Sequence, residues 1–272
     1  MESYIAIVYT ADEPNAGMLS ALLMEMGFEG IEENEQDQYA ASVRQSLYNE
    51  AEVKQLFQHF GLTYSSKIIE PQNWNAIWES GFQPVQVDDF ACIRARFHPA
   101  VTGVLHDIIV TPKMSFGTGH HATTYMMIAE MKHLNLQQKN VIDFGTGTGV
   151  LAILAEKLGA TEILAVDNDE WSIENAKENI MVNGCKNIHI QMAHQMPENF
   201  KADVILANIN LNVIVANLPV IKKVLHPGGL VLFSGIMVQD KETITVAIEK
   251  EGLKINKIRE RNGWLLISTS TY

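Results

Sequence analysis

The run Asp143-Phe144-Gly145-Thr146-Gly147-Thr148-Gly149 decides how this chain folds. An apolar strand-like stretch, residues 140–144, passes through three glycines at alternate positions into a helical stretch, residues 150–158. In an open α/β sheet, ligands sit outside the carboxyl ends of the strands, and the first strand–helix turn meets them. Glycine takes dihedrals closed to other residues and lets backbone approach a ligand closely, while the positive end of the following helix favours an anionic group. Downstream, apolar runs at 162–166, 187–191, 204–207 and 230–234 alternate with helical ones, as parallel strands with crossover helices must. The last two runs, 254–260 and 264–269, flank Arg261-Asn262-Gly263, a hairpin signal. Together they predict a doubly wound, seven-stranded α/β sheet that is mostly parallel and closes antiparallel.

Glycine spacing narrows the ligand. A dinucleotide fingerprint needs its third glycine three residues after the second, where this chain has Val150; its third glycine is Gly149. Gly-x-Gly-x-Gly suits S-adenosylmethionine better than a pyrophosphate. Asp167, at the end of the second strand, stands where an acid accepts both ribose hydroxyls of an adenosyl group. It could instead cap the next helix, a job Asn168 or Asp169 could equally do. Asp143 is placed to meet the ligand's ammonium, to orient the loop, or simply to bond the turn. Asn208 ends the fourth strand at Leu206-Ala207-Asn208-Ile209 and faces the same crevice, within reach of cofactor or incoming nucleophile, with a plain helix cap as its alternative. We take it as the candidate catalytic residue. The Asn/Asp-Pro-Pro-aromatic run usual in enzymes that methylate exocyclic base nitrogens and glutamine amides is absent there.

Upstream lies Ser115-Phe116-Gly117-Thr118-Gly119-His120-His121-Ala122-Thr123-Thr124, whose glycines could cover the cofactor and whose hydroxyls could cap the helix ending near His133. Adjacent histidines rarely converge on one ion, so His120 and His121 receive neither a metal nor a general-base role. Cys92 and Cys185 are the only cysteines and lie in no Cys-x-x-Cys pattern; both are expected reduced, and no metal site is expected.

The front of the chain differs. Strand-like residues 3–9, 28–33, 39–44 and 62–69 and helical residues 15–26 and 49–60 give a βαββαβ, ferredoxin-like order. Met18, Leu19, Leu22, Leu23 and Met26 fall at helical spacing, which makes the methionines core. We expect a small α+β domain over 1–64, a linker over 65–87 in which Trp74 and Trp78 share a helical face, and the larger domain over 88–272. Apolar residues at 47% and charged ones at 19% fit a folded globular protein. No apolar run reaches the roughly eighteen residues of a membrane helix, and Met1-Glu2-Ser3-Tyr4 lacks a secretory layout, so a cytoplasmic protein with no membrane partner is expected. Residues 1–70 carry 12 Asp and Glu against 3 Lys and Arg, a net −9 of the chain's −12. Acidic surface repels phosphate backbones and attracts basic partners, or it serves solubility alone.

With these segments the sequence resembles the methyltransferases of ribosomal protein L11, over most of its length. The resemblance runs through Asn73-Trp74 and Trp78, Phe116-Gly117-Thr118-Gly119 with His121 and Thr123-Thr124, Asp143–Gly149, Asp167, Ala207-Asn208-Ile209, and Pro227-Gly228-Gly229 leading into Ser234-Gly235-Ile236. It departs modestly, with Thr146 where many relatives have cysteine and Asn210 where an apolar residue is usual. The resemblance implies a class I methyltransferase using S-adenosylmethionine, with cofactor contacts at Thr124, Gly145, Asp167 and Asn208. Phe116, Gly117, Asp143, Gly147 and Gly149 complete the candidate cofactor set. It also implies a front domain that docks the ribosomal protein, whose lysine side chains or N-terminal α-amine receive the methyl groups. A monomer that reads no nucleic acid directly is expected. The competing readings are an RNA or small-molecule methyltransferase with the same core, and a non-catalytic cofactor-binding assembly factor.

Overall fold

A computed structural model of the protein describes residues 3–34, 38–69, 82–112, 117 and 119–271. The chain divides into two units, Met1–Ser80 and Gly81–Tyr272.

In the first unit, β1 (Tyr4–Thr10), α1 (Glu13–Glu25), β2 (Glu29–Asn34), β3 (Gln38–Arg44), α2 (Glu50–His59) and β4 (Tyr64–Ile69) follow in order. The strands pair antiparallel as β2-β3-β1-β4. Period-two alternation buries Ile5, Ile7 and Tyr9 of β1 with Ala41 and Val43 of β3, beneath Leu19 and Leu23 of α1 and Val53 and Phe57 of α2. Asp12 starts α1 by accepting the Asn15 N–H at 3.2 Å, and Asn49 starts α2 by accepting those of Ala51 and Glu52. The expectation that Met18 is core is corrected, while Met26 packs against the core. Ala16, Leu19 and Leu23 face the sheet, which turns Met18 outward at 60% exposure and leaves Met26 half-buried.

The second unit opens with a small sheet that sequence periodicity did not reveal. Its strands β5 (Val85–Val87), β6 (Ala91–Ala95) and β7 (His106–Val110) lie side by side, β6 and β7 parallel. The expected 65–87 linker is therefore too long at both ends, because β4 belongs to the first sheet and β5 to this one. Asn73, Trp74 and Trp78 lie outside the described residues.

Next come α3 (Ala122–Met131), β8 (Asn140–Phe144), α4 (Val150–Lys157), β9 (Glu162–Asp167), α5 (Glu170–Val182), β10 (Ile188–Met192), β11 (Ala202–Asn208), α6 (Leu211–Val224), β12 (Leu225–Met237), α7 (Lys241–Lys250), β13 (Lys254–Arg261) and β14 (Trp264–Ser270). The seven strands order as β10-β9-β8-β11-β12-β14-β13, with β8 to β12 parallel and the final hairpin antiparallel. Asn262 and Gly263 both have positive φ, 50° and 78°, as a tight two-residue hairpin requires. Both faces of the sheet are covered, so its strands are apolar at consecutive positions. Val141 joins the core under α3 and α4, while its neighbour Ile142 joins the opposite core under α6 and α7. Each such fully buried side chain contributes about 1.5–3 kcal/mol, which keeps this sheet rigid beneath the loops at its carboxyl edge.

Candidate active site

Strand order reverses beside β8: β9 and β10 lie on one side, β11 and β12 on the other. A ligand crevice belongs at that point, and one of about 420 Å³ is there. The neighbouring ends of β9, β8 and β11 bring Asp167, the glycine loop and Asn208 to its wall, although they are far apart in sequence.

Gly145, Gly147 and Gly149 all have positive φ, 79°, 54° and 80°. At Gly145 the lack of a side chain also answers a packing need that the spacing did not reveal, while at Gly149 it leaves only close contact. A Cβ on Gly145 would run into Ile209 Cγ2, and one on Gly149 would lie 3.4 Å from Ala176 Cβ. Gly149 also heads α4 without a side-chain cap. The turn is held from below by Val166 O, which accepts from the Gly145 and Thr146 N–H groups at 2.8 and 2.9 Å.

Asp143 lies behind this turn, fully buried. Its Oδ2 accepts from the Thr146 hydroxyl at 2.6 Å and the Ala152 N–H at 3.2 Å, so the positive end of α4 is met first by the chain's own carboxyl. Burial pushes that carboxyl up to about 7 against the pull of these two donors, with the Asp167 charge adding to the rise. Its Oδ1 has no partner among the described residues. Of the roles open to Asp143, the structural hydrogen bond to the turn is the one visible.

Asp167 faces the crevice instead. Its Oδ2 accepts the Gly147 N–H at 2.8 Å and its Oδ1 the Asp169 N–H at 3.1 Å. The capping alternative fails, because Asp169 caps α5 by accepting the Ser172 N–H. It fails for Asn208 too: Asn210 caps α6 by accepting the Val213 N–H at 3.0 Å. Asn208 Nδ2 donates to the Thr124 hydroxyl at 3.3 Å, and its buried Oδ1 has no partner among the described residues. Thr124 is itself fully buried, one layer behind the wall. Gly117 adjoins the loop, its carbonyl accepting the Thr148 hydroxyl at 2.9 Å. Phe116 lies outside the described residues.

The helix start expected at the Thr123-Thr124 hydroxyls is corrected. His121 caps α3, its Nδ1 within 3.4 Å of the Thr123 N–H and 2.7 Å of the Thr123 hydroxyl. His121 also lines the crevice, its ring edge-on to Trp264 at 4.7 Å between centroids. Sequence reading passed over Trp264, His194 and Asn168, which line it too. Asn168 was detectable as the residue beyond Asp167. Trp264 was not, since antiparallel pairing with Met237 is what carries it to the crevice.

Among the described residues, no lysine or arginine lines the crevice. The positive end of α4, where a pyrophosphate would sit, is already met by Asp143 Oδ2, so the site does not suit one. A glycine turn, one acid at the end of β9 and an unpartnered amide oxygen suit an adenosyl group and a zwitterion, so the residues present fit S-adenosylmethionine. The fold and crevice are those of a class I methyltransferase, the class that uses this cofactor.

A family model for ribosomal protein L11 methyltransferase (PrmA) matches residues 29–271. The chain is 36% identical over 275 residues to the ribosomal protein L11 methyltransferase of Phocaeicola vulgatus, covering 97% of this chain and 98% of that one. It is 37% identical over 255 residues to that of Porphyromonas gingivalis, covering 91% and 88%. The crystal structure of a ribosomal protein L11 methylase from Lactobacillus delbrueckii subsp. bulgaricus matches with a TM-score of 0.66 and 27% identity, over 70% of this chain and 100% of that one. The chain belongs to the ribosomal protein L11 methyltransferase family.

Proposed function

We propose that this protein transfers methyl groups from S-adenosylmethionine to amino groups of ribosomal protein L11, on lysine side chains, the N-terminal α-amine, or both. The observation that carries the proposal is Asn208 Oδ1, a buried acceptor in the crevice wall without a partner among the described residues, beside the glycine turn and Asp167. A polar atom left so costs about 1–3 kcal/mol, and the N–H of an incoming amine would satisfy it.

When bound, S-adenosylmethionine supplies a methyl group on a positively charged sulfur. Asp167 would hold the ribose hydroxyls, since each of its oxygens keeps a lone pair beyond the N–H it already accepts. Gly145 and Gly147 would lie against the cofactor, with Asp143 and Gly149 setting the turn from behind. Gly117 would back the turn through Thr148, with Phe116 adjoining it in sequence, and Thr124 would back Asn208. Asn208 would fix the acceptor through one N–H and leave its lone pair available. Only a neutral amine attacks: an α-amine loses its proton near 7.7–8.0, a lysine near 10.4, so the proton leaves to solvent before or as the acceptor settles. The lining carries no positive side chain among the described residues to oppose transfer of the cationic methyl, and catalysis would rest chiefly on positioning.

The first unit would be a ferredoxin-like domain that docks the basic ribosomal protein. The strand order β2-β3-β1-β4 and the net −9 over residues 1–70 support this. We place the protein in the cytoplasm as a monomer that reads no nucleic acid directly and needs no membrane. Incubating it with methyl-labelled cofactor, purified L11 and ribosomal RNA side by side tests the proposal. Label is expected in L11 and to be lost in Asn208→Ala. Label in RNA alone, or none despite tight cofactor binding, would overturn it.

A further inference from the structure

Among the described residues no strand lies beside the outer edge of β7, yet its backbone groups are paired by side chains from α5 and from Asn183, which caps that helix's end. Asn183 accepts the Ile109 N–H at 3.0 Å and donates to Ile109 O at 2.6 Å, doing with one amide what a neighbouring strand would do. One helical turn back, Asn179 Oδ1 accepts the Thr111 N–H at 2.7 Å. Another turn back, Asn175 Oδ1 accepts from Asn179 Nδ2 at 3.0 Å. Spacing of four puts the three amides on one helix face. Glu178 adds a fourth tie, accepting the Thr111 hydroxyl at 3.0 Å.

Asn179 differs from its neighbours in that its Nδ2 also donates to Thr148 O, at 2.8 Å. Thr148 belongs to the glycine turn, and its hydroxyl donates to Gly117 O. One fully buried amide thus joins the turn to the end of β7, and the turn in its own right grips Gly117. The task needs a donor and an acceptor a fixed distance apart, which an amide supplies and neither a carboxylate nor an apolar side chain does.

We propose that Asn179 is a positioning residue for cofactor binding, setting the glycine turn against the strand end at Thr111 without touching the cofactor. This rests on the cofactor site proposed above. By linkage, cofactor and the Thr111 contact must strengthen each other.

The test is cofactor affinity, measured by calorimetry on the whole protein at pH 6 and pH 8 for the wild type, Asn179→Leu and Asn179→Asp. The aspartate keeps the acceptor for Thr111 but sets an anion against Thr148 O; once protonated, as burial favours, its hydroxyl donates as the amide did. About tenfold weaker binding than wild type is expected for Asn179→Leu at both pH values. For Asn179→Asp the loss should be about tenfold at pH 8 and shrink towards wild type at pH 6. Affinities within twofold of wild type for both variants, or equal losses at both pH values for the aspartate, overturn the proposal. Failure of the wild type to bind the cofactor would instead strike the site assignment. Should the variants not fold, amide exchange on the wild type decides. Cofactor should slow exchange at Thr111 more than along the β13–β14 ladder, and equal slowing in both places overturns the proposal.

Discussion

Asp143 and Asp167 stand at the carboxyl ends of adjacent parallel strands, and the fold gives them opposite lives. The end of β8 is closed over by its own turn, so Asp143 is fully buried, faces inward and holds a proton up to about pH 7. The end of β9 opens on the crevice, where Asp167 meets ligand space and two backbone N–H groups. The same side chain on neighbouring strands would be a cofactor ligand or a brace, according to which side of the glycine turn it lies on. Burial, not residue type or neighbourhood, separates the two.

The harshest break of this contrast is Asp143→Leu, which orphans the Thr146 hydroxyl and the Ala152 N–H. We expect a loss of about 1–3 kcal/mol for each orphaned donor at pH 4, below the range in which the carboxyl's titration costs stability, read from denaturant unfolding; a midpoint near wild type there would mean that Asp143 braces nothing. Asp143→Asn keeps an acceptor for both donors and removes the titration. Because the native carboxyl holds its proton above the unfolded value of 3.8, the wild type loses stability between about pH 4 and pH 7, by up to about 4 kcal/mol, and no more above that. The asparagine variant should therefore gain on wild type as pH rises through that window, and a gap that stays flat from pH 4 to pH 8 contradicts the assignment. Asp167→Ala should do the reverse of Asp143→Leu, weakening cofactor binding about ten- to hundredfold, roughly 1.4–2.8 kcal/mol, while unfolding shifts by no more than about 1 kcal/mol. Calorimetry and melting on one preparation check both halves. Met18→Gln, on an exposed helix face far from either aspartate in sequence, sets the floor: we expect stability within about 0.5 kcal/mol of wild type.

The aspartates also mark how far sequence carries. Asp167 was readable because a strand end, a spacing from Gly145 and an acid coincide within a short stretch. Asp143 was readable as part of the turn, but its inward side was not, since nothing local says that Thr146 and Ala152 would claim it. The glycines were read as room for a ligand, whereas Gly145 also makes room for Ile209, contributed from beyond another strand. Met18 was misread because helical periodicity gives a stripe without its centre, and the sheet chose Leu19 and Leu23. Strands β5 to β7 were missed because they are short and built from runs such as Ala91–Ala95, buried throughout, with no alternation to read. The asparagines of α5 look like ordinary helix-surface residues until β7 is placed beside them.

By itself the sequence determined the number of parallel strands and where along the chain they fall, the hairpin at Asn262-Gly263, the turn at Gly145–Gly149 and the family. Each is local: dihedral freedom, period and short spacing are properties of contiguous residues. Only the tertiary structure decided which acid faces the crevice, that Trp264 and His121 meet at its wall, and that Asn179 ties the turn to β7. Those pairings come from strand order and helix packing, which bring together residues that no window of sequence contains.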